Sequence, residues 1–217
     1  MARPALILFD LDGTLTDPKP GITGSIQYAL EQMGEPVPHA DELEWTIGPP
    51  LRLNFVRLVG EARADEGVRL YRERFGDTGL FENRLIDGIP ELLNSLHAQG
   101  HQLVVATSKP HVFASRIVEH FGLASYFTTV YGSELDGTRV DKRDLLRHIR
   151  DIEQLHPHRS VMIGDREHDV HGAKAIDVRT IGVRWGYGSD KELQKAGAYA
   201  LVDSPHEIAE HVSLMLS

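Results

Sequence analysis

The chain has no cysteine in its 217 residues, which excludes a disulfide framework, a thiol nucleophile and a thiolate-ligated metal. It also lacks any stretch approaching the roughly 20 apolar residues that a helix needs to cross a bilayer. The first apolar run, residues 5–9, is too short for a secretory signal and is followed by acids. We therefore expect a cytoplasmic protein that does not bind a membrane.

Positive charge is also scarce, because 23 Lys and Arg face 32 Asp and Glu, for a formal net charge of −9. This balance disfavours binding to a nucleic-acid backbone or to an anionic membrane surface. A phosphate-bearing ligand would need local positive groups and a metal. The apolar content of 41% and charged content of 25% are typical of a globular protein, and the length suits one core domain with a modest insertion.

The most informative segment is residues 10–16, Asp-Leu-Asp-Gly-Thr-Leu-Thr, directly after the apolar run that predicts a buried strand. Two carboxylates one residue apart at a strand end repel each other and resist desolvation. A divalent cation removes that penalty, which leaves Asp10 free to attack and Asp12 placed to shuttle a proton. The alternative is an ordinary acidic turn, since Asp and Gly favour turns.

Three later segments favour the catalytic interpretation through their order along the chain. Residues 103–110, Leu-Val-Val-Ala-Thr-Ser-Lys-Pro, predict a strand closed by hydroxyl residues and a proline. Lys142 begins a helix whose apolar positions follow i, i+1, i+4 and i+7 as far as Ile152, with Asp141 as the N-cap. Residues 161–169, Val-Met-Ile-Gly-Asp-Arg-Glu-His-Asp, predict a strand, a glycine turn and two acids four residues apart.

The order of these motifs resembles that of the haloacid dehalogenase superfamily of phosphatases. The motifs are, in chain order, Asp-x-Asp-Gly-Thr, Thr-Ser-Lys-Pro, a lone helix-start lysine and Gly-Asp-x-x-x-Asp. The phosphoglycolate phosphatase-like branch fits best, and the resemblance extends from Leu6 to about Val202. It implies a parallel α/β core, a helical cap inserted after the first strand, and Mg²⁺ as the cofactor. Ligands that are all oxygen suit such a hard cation.

The resemblance also implies a role for each motif residue. Asp10 is expected to be the nucleophile that forms an aspartyl-phosphate, and Asp12 to be the general acid and then the general base. The expected metal ligands are Asp10, the carbonyl of Asp12, and Asp165, with Asp169 supporting the ion or its waters. The alternative for Asp169 is a helix-start acid stabilised by the helix dipole. The expected phosphoryl-binding residues are Thr107, Lys142 and, as backbone support, Ser108.

The order of predicted elements sets the fold class and the domain boundaries. No segment between residues 21 and 86 predicts a central strand, whereas strands and helices alternate after residue 88. This alternation predicts a doubly wound parallel sheet with ligands beyond the carboxyl ends of its strands. We assign residues 1–17 and 85–217 to this core and residues 18–84 to an all-helical cap, joined by the breaker-rich segment 17–21. The later strands are predicted at 102–106, 128–131, 160–163, 179–183 and 199–202.

Several functions are compatible with these motifs. We favour hydrolysis of a small soluble phosphate ester such as phosphoglycolate by a monomer or homodimer. Arg166 stands where many relatives carry Ser or Thr, and together with residues 185–188 (Trp-Gly-Tyr-Gly) it resembles a 5′-nucleotidase-like subgroup. Nucleoside monophosphates are therefore the alternative substrates. A sugar phosphomutase stays open, whereas a non-catalytic phosphate-binding regulator is disfavoured because it would not need Asp12.

Substrate selectivity is assigned to the cap, since the core motifs handle only the phosphoryl group. Two prolines in residues 47–52 restrict the backbone before Arg52, whose guanidinium suits a carboxylate or a second phosphate. Trp45 is expected to stack on a base or ring. The alternative is that Trp45 packs between cap helices and Arg52 is solvated. Four histidines without ligand-spaced partners are interpreted as exposed or loosely packed imidazoles rather than a transition-metal site: His156, His158, His168 and His171.

Overall fold

The structure is a computed structural model that describes residues 4–216. The chain divides into two compact units. We call the first the core unit, which runs up to Thr16 and resumes at Leu85, and the second the helical unit, Asp17–Arg84. Within the described residues, every helix is too short or too polar to cross a membrane.

The strands of the described chain form one large and one small sheet. In chain order they are β1 (Leu6–Phe9), β2 (Thr16–Asp17), β3 (Arg84–Leu85), β4 (Gln102–Pro110), β5 (Thr129–Ser133), β6 (Ser160–Gly164), β7 (Arg179–Val183) and β8 (Ala200–Val202). Within residues 4–216, six of them form a parallel sheet in the order β5-β4-β1-β6-β7-β8, and β2 pairs with β3. The predicted doubly wound parallel sheet is confirmed.

The central strand β1 fixes where the sequence motifs meet. Its last residue, Phe9, pairs with Val105 of β4 on one side and with Ile163 of β6 on the other. All four residues of β1 are buried, as expected for a parallel strand that is covered on both faces. The residue after β1 therefore emerges at the same edge of the sheet as the ends of both neighbouring strands.

Helices surround this sheet and make up most of the helical unit. The helical unit contains α1 (Lys19–Gln32), α2 (Leu51–Val59) and α3 (Ala64–Asp77). Its interior includes Tyr71, which stacks on Phe75 with ring centroids 5.2 Å apart and meets Phe55 edge-on. The core unit contains α4 (Ile89–Ala98), α5 (His111–His120), α6 (Lys142–Glu153), α7 (Glu167–Lys174), α8 (Asp190–Ala196) and α9 (Pro205–Leu216).

The prediction of a linker at residues 17–21 is wrong. Helix α1 begins at Lys19, with Pro18 as its N-cap and Pro20 in its first turn. Proline is tolerated there because the first helical N–H groups have no partner within the helix, and its fixed φ is already helical. Gly21 is buried, and a Cβ on it would lie 1.9 Å from the carbonyl oxygen of Gly79, so close backbone packing requires glycine.

Two further local predictions are corrected by the structure. Strand β4 does not stop at Ala106 but continues to Pro110, with an irregular register between these residues. On α6, Leu145 is fully buried as predicted, whereas Ile152 is 54% exposed. The apolar face of α6 therefore ends before the last turn of the helix.

This difference along α6 gives a matched test of core packing. We expect Leu145→Ala to lower the free energy of unfolding by about 2–5 kcal/mol, because it empties a buried site beneath the sheet. Ile152→Ala on the same helix should change it by about 0.5 kcal/mol or less. Urea denaturation followed by circular dichroism measures both, and similar losses in the two variants would contradict the burial pattern.

Candidate active site

Asp10 lies directly after β1, at the carboxyl edge of the sheet. Its backbone N–H donates to the carbonyl of Ile163 at 2.9 Å, which continues the β1–β6 pairing by one residue. Asp10 is 6% exposed, and its Oδ1 accepts a hydrogen bond from the N–H of Leu11 at 2.8 Å. The same Oδ1 lies 3.0 Å from Nζ of Lys142. Asp10 is thus a buried carboxylate held in one orientation by a backbone donor and an ammonium group.

Asp12 lies in the tight turn that follows, opposite Lys109. Its Oδ2 is 3.0 Å from Nζ of Lys109, and both side chains are largely buried. Burial raises the pKa of Asp12, and the Lys109 ammonium offsets only part of that rise. Among the described residues, Oδ1 of Asp12 is buried without a hydrogen-bond partner. A carboxyl with a raised pKa beside Asp10, the expected nucleophile, has the character that proton transfer requires.

The irregular end of β4 carries the hydroxyl motif. Thr107 is buried, and its Oγ1 accepts a hydrogen bond from the N–H of Lys109 at 3.2 Å. The carbonyl of Ser108 accepts a hydrogen bond from Oγ of Ser133 at 2.8 Å, which ties this segment to the end of β5. Both residues of the hydroxyl motif thus lie in the irregular carboxyl-terminal part of β4, and the sequence predicted them to bind the phosphoryl group.

Lys142 connects the motifs from the start of α6. The N-cap prediction is confirmed, because the side chain of Asp141 accepts a backbone hydrogen bond from the first turn. Nζ of Lys142 lies 3.0 Å from Asp10, 2.8 Å from Asp169 and 2.7 Å from the carbonyl of Ala106. Burial alone lowers the pKa of Lys142, but attraction to the two carboxylates outweighs it and raises the pKa, so the ammonium stays charged.

Asp165 and Asp169 lie on either side of the turn between β6 and α7. Oδ2 of Asp165 accepts a hydrogen bond from the N–H of Tyr187 at 2.7 Å, and Oδ2 of Asp169 accepts one from the N–H of Arg166 at 3.1 Å. Burial, with repulsion from Asp169 and Asp10, raises the pKa of Asp165 well above its ordinary value. Burial and Asp10 also raise the pKa of Asp169, to about 6, although Lys142 opposes the rise.

Residues 185–188 pack directly against Asp165, which explains the glycines of this segment. A Cβ on Gly186 would lie 2.2 Å from Cβ of Asp165, and one on Gly188 would lie 1.9 Å from the Asp165 carbonyl oxygen. Nε1 of Trp185 donates to the carbonyl of Thr14 at 3.1 Å, which joins the segment to the first turn. In the sequence this segment resembled a 5′-nucleotidase-like subgroup, but its contact with Asp165 could not be predicted because it depends on tertiary structure.

The acid cluster fits a divalent cation. One carboxylate oxygen each from Asp10, Asp165 and Asp169 lie within 4.8 Å of one another, and all three residues are buried. Oδ1 of Asp165 has no hydrogen-bond partner in the described part of the chain, although it is buried. An unpaired buried carboxylate oxygen is costly without a cation. Carboxylates and a backbone carbonyl are the donors that Mg²⁺ prefers, so the residues present suit this ion.

The predicted substrate-binding residues of the helical unit are engaged within that unit. Arg52 is 2.7 Å from Glu61 and 2.8 Å from Asp65 in exposed ion pairs. The guanidinium of Arg57 lies over the half-buried ring of Trp45, 3.9 Å from its centroid. The roles of Arg52 and Trp45 toward a substrate stay predictions.

The histidine group is distinct from the acid cluster. In the described chain, none of the four histidines belongs to a group of side chains close enough to share a metal ion. Burial lowers the pKa of His168, and the positive charge of Arg166 lowers it further.

Asp165 offers a test of the cation site through stability. Because the pKa of Asp165 is higher in the folded than in the unfolded protein, its ionisation destabilises the metal-free fold as pH rises above about 4. At pH 8 in chelator we therefore expect Asp165→Asn to raise Tm by about 3 °C or more. Mg²⁺ should raise the Tm of the unsubstituted protein and not that of Asp165→Asn.

The control for this test is Asp151→Asn, because the Asp151 side chain is 66% exposed. It should leave both Tm values unchanged. A lower Tm for Asp165→Asn in chelator, or an equal Mg²⁺ effect on both proteins, would contradict the cation site.

Comparison with known proteins agrees with this geometry. A family model described as haloacid dehalogenase-like hydrolase matches residues 7–183. A 5′-nucleotidase of Pseudomonas aeruginosa is 55% identical over 190 residues, 87% of this chain and 86% of that protein. Tyrosine-protein kinase PtkA of Mycobacterium tuberculosis is 43% identical over 195 residues, 88% of this chain and 66% of the kinase.

A solved structure adds the three-dimensional comparison. The crystal structure of a predicted phosphatase from Clostridium acetobutylicum matches with a TM-score of 0.93 and 42% identity, over 97% of this chain and 99% of that one. The resemblance inferred from the motifs is therefore confirmed, and the chain belongs to the haloacid dehalogenase-like hydrolases.

Proposed function

We propose that this protein is a Mg²⁺-dependent phosphomonoester hydrolase that acts through an aspartyl-phosphate on Asp10. The observation that carries the proposal is the arrangement around Asp10: an ammonium at 3.0 Å, two further acids within 4.8 Å, and Asp12 two residues away. Phosphomonoester hydrolysis needs an aligned nucleophile and neutralisation of charge on the transferring group. The core unit supplies both at the end of its central strand.

Asp10 and Asp12 divide the chemistry between them. A carboxylate oxygen of Asp10 attacks phosphorus, the bond from phosphorus to the ester oxygen breaks, and the leaving alkoxide takes a proton from Asp12. Asp12, now ionised, removes a proton from the water that hydrolyses the aspartyl-phosphate. The raised pKa of Asp12 favours the protonated form needed in the first step, and the ion pair with Lys109 at 3.0 Å favours the ionised form needed in the second.

Lys142 and Thr107 bind the transferring phosphoryl group, with the backbone at Ser108 as support. The Lys142 ammonium is fixed by three oxygen contacts, so it requires little reorganisation as charge develops. When bound, Mg²⁺ would be held by Asp10, Asp165 and the carbonyl of Asp12, with Asp169 in support, and it supplies further charge neutralisation. The acids alone repel an anionic substrate, which makes the cation necessary.

The substrate is a small phosphate ester, and we favour a nucleoside 5′-monophosphate over phosphoglycolate. The relative with 55% identity is a 5′-nucleotidase, and the similarity extends over 87% of this chain. The sequence also resembles that subgroup at Arg166 and at residues 185–188. A sugar phosphomutase shares the core chemistry, and product analysis separates it: a hydrolase releases orthophosphate, whereas a mutase yields an isomeric sugar phosphate.

The metal and the nucleophile are tested together with p-nitrophenyl phosphate. We expect chelator to abolish hydrolysis and Mg²⁺ to restore it. Asp10→Asn should lower kcat by at least about 10³-fold, because no carboxylate remains to attack. Asp151→Asn makes the same substitution at an exposed residue and serves as the control, which should retain full activity. Full hydrolysis in chelator would overturn the metal assignment. A normal kcat for the Asp10→Asn protein would overturn the assignment of Asp10 as the nucleophile.

The substrate class is tested at Arg52. If its guanidinium binds the part of the substrate beyond the phosphoryl group, Arg52→Ala should raise KM for a nucleoside 5′-monophosphate by about tenfold, the loss of one charge-assisted hydrogen bond. KM for p-nitrophenyl phosphate should change little. Arg69→Ala, another exposed arginine of the helical unit, is the control. Equal changes for both substrates would contradict the role of Arg52.

A panel of nucleoside 5′-monophosphates, phosphoglycolate, sugar phosphates and phosphotyrosine then ranks the leaving groups by kcat/KM. The proposal expects a nucleoside monophosphate to rank first. A higher kcat/KM for phosphoglycolate would contradict the assignment of a nucleoside monophosphate as the substrate, whereas the proposed phosphatase reaction would still stand.

A further inference from the structure

Arg166, the residue at which the last motif departs from many relatives, makes an ion pair with Glu192 of α8. Nε of Arg166 donates to Oε1 of Glu192 at 2.9 Å, and the two side chains are 15% and 21% exposed. Pairs this shielded from water interact more strongly than surface pairs, and losing one partner leaves a poorly solvated charge. Attraction to Arg166 lowers the pKa of Glu192 against the effect of its burial, so Glu192 is ionised.

Glu192 also binds the backbone of the turn between the two acids. The same Oε1 accepts a hydrogen bond from the N–H of Glu167 at 2.9 Å. On the other side of this turn, the N–H of Arg166 donates to Oδ2 of Asp169 at 3.1 Å. Arg166 and Glu167, two of the three residues between Asp165 and Asp169, are thus held by their backbone N–H groups, one by an acid of the cluster and one by Glu192.

Glu192 is itself held in place by local structure. It lies in the first turn of α8, where its N–H donates to Oγ of the N-cap residue Ser189 at 3.1 Å. The segment leading into α8 packs on Asp165, since Tyr187 donates to its carboxylate and Gly188 touches its carbonyl. One stretch of chain, residues 186–192, therefore contacts both Asp165 and the turn that follows it.

We propose that Glu192 is a positioning residue for the divalent-cation site: through Arg166 and the N–H of Glu167 it holds the turn that orients Asp165 and Asp169. This inference rests on the proposed function, because it takes the acid cluster as the Mg²⁺ site. Groups that orient metal ligands commonly change metal affinity by about 10- to 100-fold when they are removed. We assign neither Arg166 nor Glu192 a contact with the reacting atoms.

The test measures Mg²⁺ affinity by titration calorimetry on the full chain without substrate. Glu192→Ala removes both hydrogen-bond contacts and should raise the Kd for Mg²⁺ by about tenfold or more. Glu192→Gln keeps an acceptor oxygen for Glu167 and should raise Kd by less. Arg166→Met should also raise Kd by less, because the contact from Glu192 to the backbone stays. The double variant Arg166→Met/Glu192→Ala should bind Mg²⁺ no more weakly than Glu192→Ala, since both residues act on one turn.

The matched control is Glu153→Gln, which also removes a carboxylate that accepts two side-chain hydrogen bonds, from Tyr131 and Gln102, away from the acids. It should leave Kd unchanged even where Tm falls, which separates positioning from general stability. If Glu192→Ala does not fold, Glu192→Gln carries the comparison, with a Kd above that of the unsubstituted protein.

The outcomes separate this inference from the proposed function. A Glu192→Ala Kd within twofold of the unsubstituted protein, or a double variant whose loss is the product of the two single losses, would overturn the positioning role alone. Absence of saturable Mg²⁺ binding by the unsubstituted protein would overturn the cation site and the proposed function with it.

Discussion

The structure depends on one electrostatic constraint: three buried carboxylates, Asp10, Asp165 and Asp169, lie within 4.8 Å of one another. Burial, and then repulsion between the like charges, opposes ionisation and raises the pKa values of Asp165 and Asp169. Lys142 neutralises part of this charge through its contacts with two of the acids. The remaining excess of negative charge is the reason why we propose a cation site here rather than a structural ion-pair network.

The parallel sheet is what allows such a cluster to form. Strands β4, β1 and β6 are neighbours, so the residues after each strand emerge at one edge although they are far apart in sequence. Glycines then permit the close approach of backbone that the cluster needs, as Gly186 does against Asp165. Burying the three acids together destabilises the fold. Burial of the apolar strands beneath them, such as β1, which is covered on both faces, offsets this destabilisation.

The sequence predicted the elements and motifs that local pattern controls. The Asp141 N-cap and the alternation of strands and helices follow from residue type and spacing, which is why those predictions agree with the structure. The end of β4 was predicted too early, at Ala106 rather than Pro110. Periodicity failed at Ile152, because a pattern shows which face of α6 is apolar and not where the neighbouring layer ends. The helix start at Lys19 was missed because prolines were interpreted as breakers, although the first turn accepts them.

Contacts between distant segments were beyond sequence reasoning. The ion pair of Lys109 with Asp12 and that of Arg166 with Glu192 join residues 97 and 26 positions apart by tertiary packing, and no spacing rule indicates either. The substrate could not be predicted for a similar reason, since the residues that would contact a leaving group lie outside the motifs. The chemistry could therefore be predicted from the sequence to the level of reaction type, and selectivity could not.

The central claim, that Asp10 carries the phosphoryl group, is tested most directly by trapping the intermediate. The protein would be mixed with a ³²P-labelled phosphomonoester and Mg²⁺, quenched in acid during turnover, and digested for peptide mapping. We expect acid-stable label, lost on treatment with hydroxylamine as an acyl phosphate should be, on the peptide that contains Asp10. Label on any other residue would contradict the assignment of Asp10 as the nucleophile.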